Sequence, residues 1–277
     1  MAYPLYVGLL VERRYLTQNQ PYGMSAALQA RGHQVTLIDP EESFHRFGDD
    51  AWLNGFDLIV GRGRSWALLC LLAWAEERGL PTLNRRGAIA AVHSKAEMGV
   101  ALSAWKVPTP PTFLGRPGVL ARKIPEASYP LILKPIFGDN CQGLSIVHSR
   151  SELIGLQWPE PVALAQSYLP TDGYDLKLYG IGEEVWAVRK PSPLGAPGAK
   201  APARKAELLP LTPALRKLGR RCGRIFGLEL YGVDCIQTPD GPIVIEVNDF
   251  PNYTGVPGVD ESLADYVLRR AHTEERS

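Results

Sequence analysis

Residues 231–255 place three oxygen-bearing side chains on two neighbouring extended segments. Asp234 lies in the first β-branched run, and Glu246 and Asn248 lie in the second, two residues apart and so on one face of a strand. Residues 238–241, TPDG, have the chemistry of a turn, so the two runs predict a hairpin. Oxygen ligands clustered among apolar residues favour a bound cation, and Mg²⁺ takes such ligands together with substrate phosphates. The alternative interpretation is a surface hairpin whose polar side chains only face solvent.

Two lysines have positions suited to phosphate. Lys134 follows the apolar run 131–133 and precedes a glycine-bearing loop, residues 138–143, which suits a nucleotide phosphate under a lid. Lys95 falls in the first turn of a helix that Ser94 can cap, where a cation opposes the helix dipole unless phosphate or solvent compensates it. Either lysine could instead be solvated at the surface. The chain has no GxxxxGK[ST] motif and no GxGxxG opening a helix, so neither a P-loop nor a dinucleotide site is supported.

Further charged residues occupy loops and one strand face. The loops after the first and third predicted strands carry four arginines: Arg13, Arg14, Arg62 and Arg64. Because such loops meet at one edge of a parallel sheet, the four together indicate an anionic ligand, although each alone reads as a solvated arginine. Asp175 and Lys177 lie two apart on one face of another predicted strand, a pairing that is also common on solvated sheet faces.

Residues 186–224 are strongly basic. Glu207 is the one acidic residue among ten basic ones, which are Arg189, Lys190, Lys200, Arg204, Lys205, Arg216, Lys217, Arg220, Arg221 and Arg224. Residues 192–205 lack periodicity and predict a mobile loop. Such a loop either closes over an anionic substrate or only aids solubility.

Alternating strand and helix patterns predict a small parallel α/β lobe over the first ~90 residues. Its elements are expected as strands at 5–11, 34–38 and 57–60 and helices at 22–31 and 66–78. A helix at 94–104 and the proline-rich run VPTPPTFLGRPG then lead into a second lobe. Later strands are expected at 131–133, 144–147, 162–168, 175–180 and 185–189, and later helices at 211–226 and 263–271.

The composition is that of a soluble globular protein. The chain has 277 residues, 45% hydrophobic and 21% charged, which allows two or three lobes, and its net charge of +1 makes no overall case for nucleic acid or membrane. Four cysteines without CxxC spacing argue against zinc and disulfides. No run approaches the ~18 apolar residues of a membrane span, and the start lacks the charge order of a signal peptide. We therefore expect a cytoplasmic enzyme, without a membrane partner. Nucleic acid is disfavoured because aromatic residues do not alternate with the basic ones.

Eight short segments, in this order along the chain, resemble the ATP-grasp superfamily. They are ARGHQVTLIDP, the loop after FDLIVGR, LPTLN, HSKAEM, LILKPIFG, AQSYLP, YGVD and IEVN. Within that superfamily the chain is most similar to RimK-type carboxylate–amine ligases. The resemblance implies an α/β ATP-grasp fold, in which a small parallel α/β lobe (1–92) precedes two α+β lobes that clamp ATP. These are a central lid subdomain (93–165) and a carboxyl-terminal subdomain with the metal site (166–277).

The resemblance also implies ligands for ATP and metal. Lys95, Lys134 and Lys177 would contact ATP phosphates, and Asp175 would accept the ribose hydroxyls. The adenine hinge would comprise Gln166, Ser167, Tyr168 and Leu169. Asp234, Glu246 and Asn248 would hold two Mg²⁺ ions, which Mn²⁺ can replace. Ser167 departs from the family pattern, which usually has an acidic residue after the glutamine, and the lid segment GDNCQG is longer and less glycine-rich than usual.

The remaining implied roles concern the acceptor. Lys177 and Arg189 would be catalytic, facing the transferred phosphate or the reaction intermediate. The acceptor would be an anionic small molecule or peptide, bound by Arg13, Arg14, Arg62, Arg64 and Lys190.

A second resemblance competes with the first. DLKLYGIGEEVWAVRKPSPL and VNDFPNYTGVPG are similar to ATP-grasp inositol polyphosphate kinases, although Glu246 is the ligase-like residue where those kinases tend to have Asp. We therefore expect an ADP-forming ligase that makes C–N bonds through an acyl phosphate, with a polyol kinase as the alternative. A third hypothesis, a non-catalytic ATP-binding module, predicts losses among the metal and phosphate positions, and none of these is lost.

Overall fold

A computed structural model describes residues 3–138, 142–192, 194 and 205–274 of the chain. Most of the predicted basic loop at 192–205 and the centre of the loop at 138–143 lie outside the described residues.

The amino-terminal lobe is a parallel sheet with the strand order β2–β1–β3–β4. Its strands are β1 (Tyr6–Val11), β2 (Gln34–Ile38), β3 (Leu58–Arg62) and β4 (Thr82–Leu83), and its helices are α1 (Asn19–Ala30), α2 (Trp66–Glu77) and α3 (Arg86–His93). The central strands β1 and β3 are apolar and buried almost throughout, as expected of a parallel sheet covered on both faces. The parallel α/β lobe predicted from the sequence is confirmed, whereas α3 was not predicted.

The second sheet is antiparallel, with the order β5–β8–β6–β7. This part of the chain comprises α4 (Lys95–Ala104), β5 (Thr112–Gly115), α5 (Pro117–Lys123), β6 (Leu131–Lys134), β7 (Ser145–Val147), α6 (Arg150–Gly155) and β8 (Ala163–Ser167). Ser94 caps α4 as expected, because its side chain accepts a hydrogen bond from the amide of Glu97. A small apolar core lies beneath this sheet, formed with residues of α5 and α6.

The third sheet has five strands in the order β11–β10–β9–β12–β13. It comprises β9 (Tyr174–Ile181), β10 (Glu184–Pro191), β11 (Glu207–Leu209), β12 (Leu230–Thr238) and β13 (Gly241–Asp249), with α7 (Pro213–Phe226) preceding β12 and α8 (Val259–Glu274) closing the described chain. Apolar residues of α3, α4 and α7 pack on one face of this sheet and form its core. The opposite face is the one that carries the polar residues of the candidate site.

Specific polar contacts join the first and third sheets. Asn84 is fully buried after β4; its amide donates to the carbonyl of Leu230 at 2.7 Å, and its carbonyl accepts from the amides of Glu229 and Leu230 at 2.8 Å. Arg31 of α1 forms ion pairs with Glu261 and Asp265 of α8. Helix α8 therefore packs on the first lobe, although it follows the third sheet in sequence.

The three-part division at 92/93 and 165/166 stays a prediction, and two elements cross it. Helix α4, assigned to the lid subdomain, packs on the third sheet, and the second boundary falls inside β8. Among the described residues, no helix combines the length and the apolar character that crossing a membrane requires.

Candidate active site

The β12–β13 hairpin brings together the three residues predicted to bind metal. Asp234 pairs with Glu246 across the strands, and Gly232 pairs with Asn248, so all three polar side chains lie on one face. The Asn248 amide lies 3.4 Å from Asp234 Oδ2 and donates to it, which leaves the Asn248 carbonyl oxygen as a candidate ligand. The register shifts after Asp234, a β-bulge that interrupts regular pairing directly beside the site.

Asp234 and Glu246 each pair with a lysine. Lys177 on β9 pairs in register with Asp234, with 2.5 Å between Nζ and Oδ2. Lys95, in the first turn of α4, reaches Glu246 Oε1 at 2.5 Å and is buried. Burial lowers the pKa of Lys177, but its attraction to Asp234 outweighs burial and raises that pKa above its ordinary value. Lys177 is therefore charged at neutral pH.

A third lysine lies on the second sheet. Lys134 ends β6, is buried, and donates to Gln166 Oε1 on β8 at 2.7 Å. The Gln166 amide donates in turn to Thr112 Oγ1 at 3.0 Å. Lys134 thus points into the cavity from the sheet opposite the hairpin, with its ammonium orientation fixed by Gln166.

The predicted adenine hinge lies on the same side as Lys134. The Ser167 hydroxyl donates to the carbonyl of Ser128 at 3.2 Å, so the side chain turns toward that loop. The amide of Ser167 bonds to the carbonyl of Pro111, and that of Tyr168 bonds to the carbonyl of Pro130, each at 2.9 Å. These two amides are already used within the protein. Leu169 also lines the cavity.

Asp175 and Lys190 face each other in register on β9 and β10. Burial raises the pKa of Asp175, partly offset by a hydrogen bond with Ser192 and by Lys177. Burial lowers the pKa of Lys190, and the nearby charge of Lys177 lowers it further. Asp234 and Asp175 act on the pKa of Lys190 in the opposite direction, but neither forms an ion pair with it in the described part of the chain, so its side chain is available to a ligand.

Two of the four predicted arginines enter the cavity. Arg62 is buried, donates to the carbonyl of Phe250 and, at 2.8 Å, to Gln18 Oε1, and stacks over the Tyr15 ring at 4.2 Å. Arg64 is equally buried and pairs with Asp249 Oδ1 at 2.9 Å. Both arginines therefore link the first sheet to the end of β13 and to the residue after it.

The segment after β13 has strained backbone where it meets the cavity. Phe250 and Tyr253 have φ values of 24° and 51°, which are uncommon for non-glycine residues. Both side chains are almost completely buried, and the Tyr253 hydroxyl donates to the carbonyl of Gly180 at 2.9 Å. These contacts hold the segment so that Pro251, Asn252 and Thr254 line the cavity.

Three predicted site residues lie outside the cavity. Arg13 forms an exposed pair with Glu42 at 3.3 Å, and Arg14 pairs with Glu12 at 2.6 Å. Arg189 pairs in register with Leu176, whereas the cavity-facing residues of β9 are Asp175 and Lys177. Its side chain therefore lies on the opposite face, where it binds Asp172 at 2.5 Å and stacks over Tyr174. This placement does not support the prediction that Arg189 is catalytic. Side chains alternate between the two faces of β10, and Lys190 is the one that faces the cavity.

The cavity has a volume of about 440 Å³, within the range of small-molecule sites. The predicted residues that line it are Arg62, Arg64, Lys95, Lys134, Gln166, Ser167, Tyr168, Leu169, Asp175, Lys177, Lys190, Asp234, Glu246 and Asn248. The sequence reasoning missed Asp249, the buried partner of Arg64, and Tyr179. The alternation of Asp175 and Lys177 along β9 could have indicated Tyr179, whereas nothing local to Asp249 distinguishes it from an exposed aspartate.

The donor set fits a hard divalent cation. The three hairpin side chains offer two carboxylates and one amide carbonyl, all oxygen ligands, and no histidine lines the cavity among the described residues. Among the described residues no group of three or more His, Cys, Asp or Glu could hold a metal, so further ligands would have to come from phosphate and water. This arrangement is the one expected where Mg²⁺ binds together with a nucleotide.

Known structures share this architecture over nearly the whole chain. A RimK domain ATP-grasp protein from Sphaerobacter thermophilus matches with a TM-score of 0.72 at 21% identity, covering 96% of this chain and 98% of the other. The ATP-grasp ligase PsnB, complexed with a minimal precursor, matches with a TM-score of 0.72 at 16% identity over 96% of this chain and 99% of its own. The chain has the ATP-grasp fold. This confirms the fold predicted from the eight segments.

Sequence relatives of this ATP-grasp chain include ligases. It is 25% identical over 279 residues to a probable alpha-L-glutamate ligase 1 from Shewanella amazonensis, covering 90% of this chain and 91% of that protein. The model of the family described as inositol 1,3,4-trisphosphate 5/6-kinase ATP-grasp domain matches residues 199–269. Both resemblances noted in the sequence are thus found again, the first over most of the chain and the second over its carboxyl-terminal part.

Proposed function

We propose that this protein is an ATP- and Mg²⁺-dependent ligase that joins a carboxylate to an amine. One observation carries the proposal: four lysines converge with the carboxylates of Asp234 and Glu246 and the amide of Asn248 on one cavity between two sheets of an ATP-grasp fold, where Asp175 and Asp249 add two further carboxylates. Charges of both signs in this arrangement suit a metal-bound triphosphate together with an anionic acceptor. The similarity to glutamate ligases over most of the chain favours a carboxylate as the acceptor.

ATP would lie between the second and third sheets. Gln166 to Leu169 would border the adenine, and Asp175 would accept the ribose hydroxyls. Asp234, Glu246 and Asn248 would hold Mg²⁺, which neutralises charge on the reacting phosphoryl group. Lys177 and Lys95 now neutralise the same carboxylates, at 2.5 Å each. In the proposed complex these ammonium groups are available to the phosphates, together with Lys134.

The proposed reaction has two displacements. In the first, a carboxylate oxygen of the acceptor attacks the γ-phosphorus, the bond to the β–γ bridging oxygen breaks, and ADP leaves. In the second, the nitrogen of an amine attacks the acyl carbon, inorganic phosphate leaves with the bonding electrons, and the nitrogen loses a proton as the amide forms. The protein orients both partners and excludes water, which would otherwise hydrolyse the acyl phosphate.

Lys190 is the residue we assign to the negative charge that develops on the acceptor. It faces the cavity beside Asp175, has no carboxylate partner among the described residues, and lies within electrostatic reach of Lys177. A cation held in place before the reaction stabilises an oxyanion without reorganisation. Arg62 and Arg64, held by Phe250 and Asp249, would border the acceptor from the first lobe.

The fate of γ-labelled phosphate tests this proposal. The protein would be incubated with [γ-³²P]ATP, Mg²⁺, L-glutamate and a pool of the twenty amino acids and short peptides, with products separated and analysed by mass spectrometry. We expect labelled inorganic phosphate and a new amide in equal amounts. The ligase assignment would be contradicted by phosphate release without amide formation, or by the absence of ATP turnover with any of the acceptors.

Inositol polyphosphate kinase activity is the second candidate. It is favoured by the family match over residues 199–269 and by the surplus of cations in the cavity. The same assay with a pool of inositol phosphates separates the two reactions, because a kinase leaves the label on the polyol and releases no inorganic phosphate.

A further inference from the structure

Helix α7 carries a basic face on the side of the third sheet away from the candidate active site. Its 14 residues include five cations and no acidic residue; the cations are Arg216, Lys217, Arg220, Arg221 and Arg224. Arg216, Lys217 and Arg224 are exposed and form no ion pair within the described part of the chain. We call these five residues the α7 basic face.

The opposite side of α7 fixes the helix on the sheet. Leu215, Leu218 and Cys222 contribute to the core under β9 and β12. Gly219 and Gly223 allow a close approach, because a Cβ atom at Gly223 would lie 2.6 Å from the Tyr231 ring and one at Gly219 would lie 3.0 Å from Val185. The basic face therefore cannot rotate inward, and it is presented to solvent.

The cations of the α7 basic face repel one another along the helix. Arg216, Arg220 and Arg224 follow each other at intervals of four residues, as do Lys217 and Arg221. Like charges at this spacing destabilise a helix. Arg220 is held by Glu183 at 3.2 Å, and Arg221 donates to the carbonyl of Trp105, but these contacts leave the others uncompensated. An anionic partner would remove the repulsion.

We propose that the α7 basic face docks an acidic peptide segment of a partner protein. Eight helical residues rise about 12 Å, close to the roughly 13 Å between side chains four residues apart in an extended peptide, so two acidic residues at that spacing would meet Arg216 and Arg224. Trp105 is 59% exposed at the edge of the face and offers apolar contact to the peptide. Glu183 and the exposed Glu184 lie at the end of the face near Arg220, where they disfavour a backbone that is charged at every unit, whereas a peptide can place its acidic residues opposite Arg216, Lys217 and Arg224.

Fluorescence anisotropy tests this docking without reference to any reaction. The probe is a fluorescein-labelled (Glu-Thr)4 peptide, with (Gln-Thr)4 and a twelve-nucleotide oligo-dT as comparisons. We expect saturable binding of the acidic peptide that weakens as salt is raised, because surface charges are screened. Charge reversal in the triple variant Arg216→Glu, Lys217→Glu, Arg224→Glu should weaken it at least about tenfold.

A matched variant separates the face from overall charge. Arg116→Glu, Arg122→Glu, Lys123→Glu makes the same change in net charge at exposed positions around α5 and should bind the peptide like the wild type. Both triples should remain folded at the assay temperature and should keep wild-type ATP turnover with free amino acids. The inference would be overturned if both triples weakened peptide binding equally or if oligo-dT bound more tightly than the acidic peptide. It would also be overturned if the wild type self-associated and only the α7 triple lost that self-association. A failure of the ligase proposal would leave this binding result unchanged.

Discussion

Lys177 and Asp234 face each other on neighbouring strands of the third sheet, with 2.5 Å between their charged atoms. Lys177 is one of the residues proposed to contact the ATP phosphates, and Asp234 is one of the residues proposed to hold the metal. Because the pKa of Lys177 is raised above 10.5, the stabilisation from this pair is fully present at neutral pH and is lost only as the pH rises through that raised value.

Replacement of Asp234 by Asn should lower ATP turnover by about 100-fold or more, because it removes one ligand charge from the proposed metal site. The measurement is ATP turnover as a function of Mg²⁺ concentration, in which the variant should also require more Mg²⁺. The control is Asp240→Asn, an exposed position in the turn of the same hairpin. Wild-type turnover and Mg²⁺ dependence in Asp234→Asn would show that Asp234 holds no metal.

Lys190 and Arg189 form a second test, since they are adjacent in sequence but lie on opposite faces of β10. We expect Lys190→Ala to lower kcat by about 100-fold, as for loss of one preorganised charge. Arg189→Ala should change kcat less than about threefold, because its partners are Asp172 and the Tyr174 ring and not the cavity. Steady-state kinetics with the acceptor found in the label assay decides this. The opposite ranking would restore Arg189 as the catalytic cation.

Asp175→Asn should stabilise the fold at neutral pH and weaken nucleotide binding. Burial raises the pKa of Asp175 above 3.8, so the folded state binds the proton more tightly and the ionised carboxylate destabilises the fold at neutral pH. The variant should therefore have a higher Tm at pH 7, and the difference should shrink as the pH falls toward 3.8. ATP binding should weaken about 10- to 100-fold through loss of a charged hydrogen bond to the ribose. A lower Tm at pH 7 would contradict the assigned burial effect.

Glu12 and Glu42 contrast a buried carboxylate with an exposed one. Glu12 is 2% exposed, accepts from the amides of Arg64 and Ser65, and pairs with Arg14. Glu12→Ala should lower the free energy of unfolding by about 3 kcal/mol, because it leaves buried donors without their acceptor. Glu42→Ala breaks an exposed pair with Arg13 and should cost less than about 1 kcal/mol. Urea unfolding measures both, and equal effects would refute the distinction.

The β12–β13 hairpin was predictable from the sequence because the information that forms it is local. β-Branched runs flank a turn, and the two-residue spacing of Glu246 and Asn248 sets their common face. Which side chains of β10 face the cavity could not be predicted in the same way. Whether Arg189 or Lys190 points into the cavity depends on the register with β9, and a shift of one residue exchanges them.

Long-range contacts account for the other differences between the sequence predictions and the structure. Arg62 and Arg64 look like solvated loop residues in sequence, yet they are buried because Phe250 and Asp249, nearly 190 residues later, supply an acceptor and a counter-charge. Asn84 likewise has no local signal, and its three hydrogen bonds to Glu229 and Leu230 exist only in the folded chain. Such partners become visible only when the lobes are placed together.

The transfer of oxygen from the acceptor to phosphate tests the central claim most directly. The acceptor that yields an amide in the label assay would be prepared with ¹⁸O in its carboxylate, and the released inorganic phosphate analysed by mass spectrometry. An acyl phosphate route breaks the bond between the acyl carbon and the labelled oxygen, so one ¹⁸O atom should appear in each phosphate released during amide formation. Phosphate without ¹⁸O, at undiminished amide yield, would contradict the proposed acyl phosphate and with it the roles assigned to this cavity.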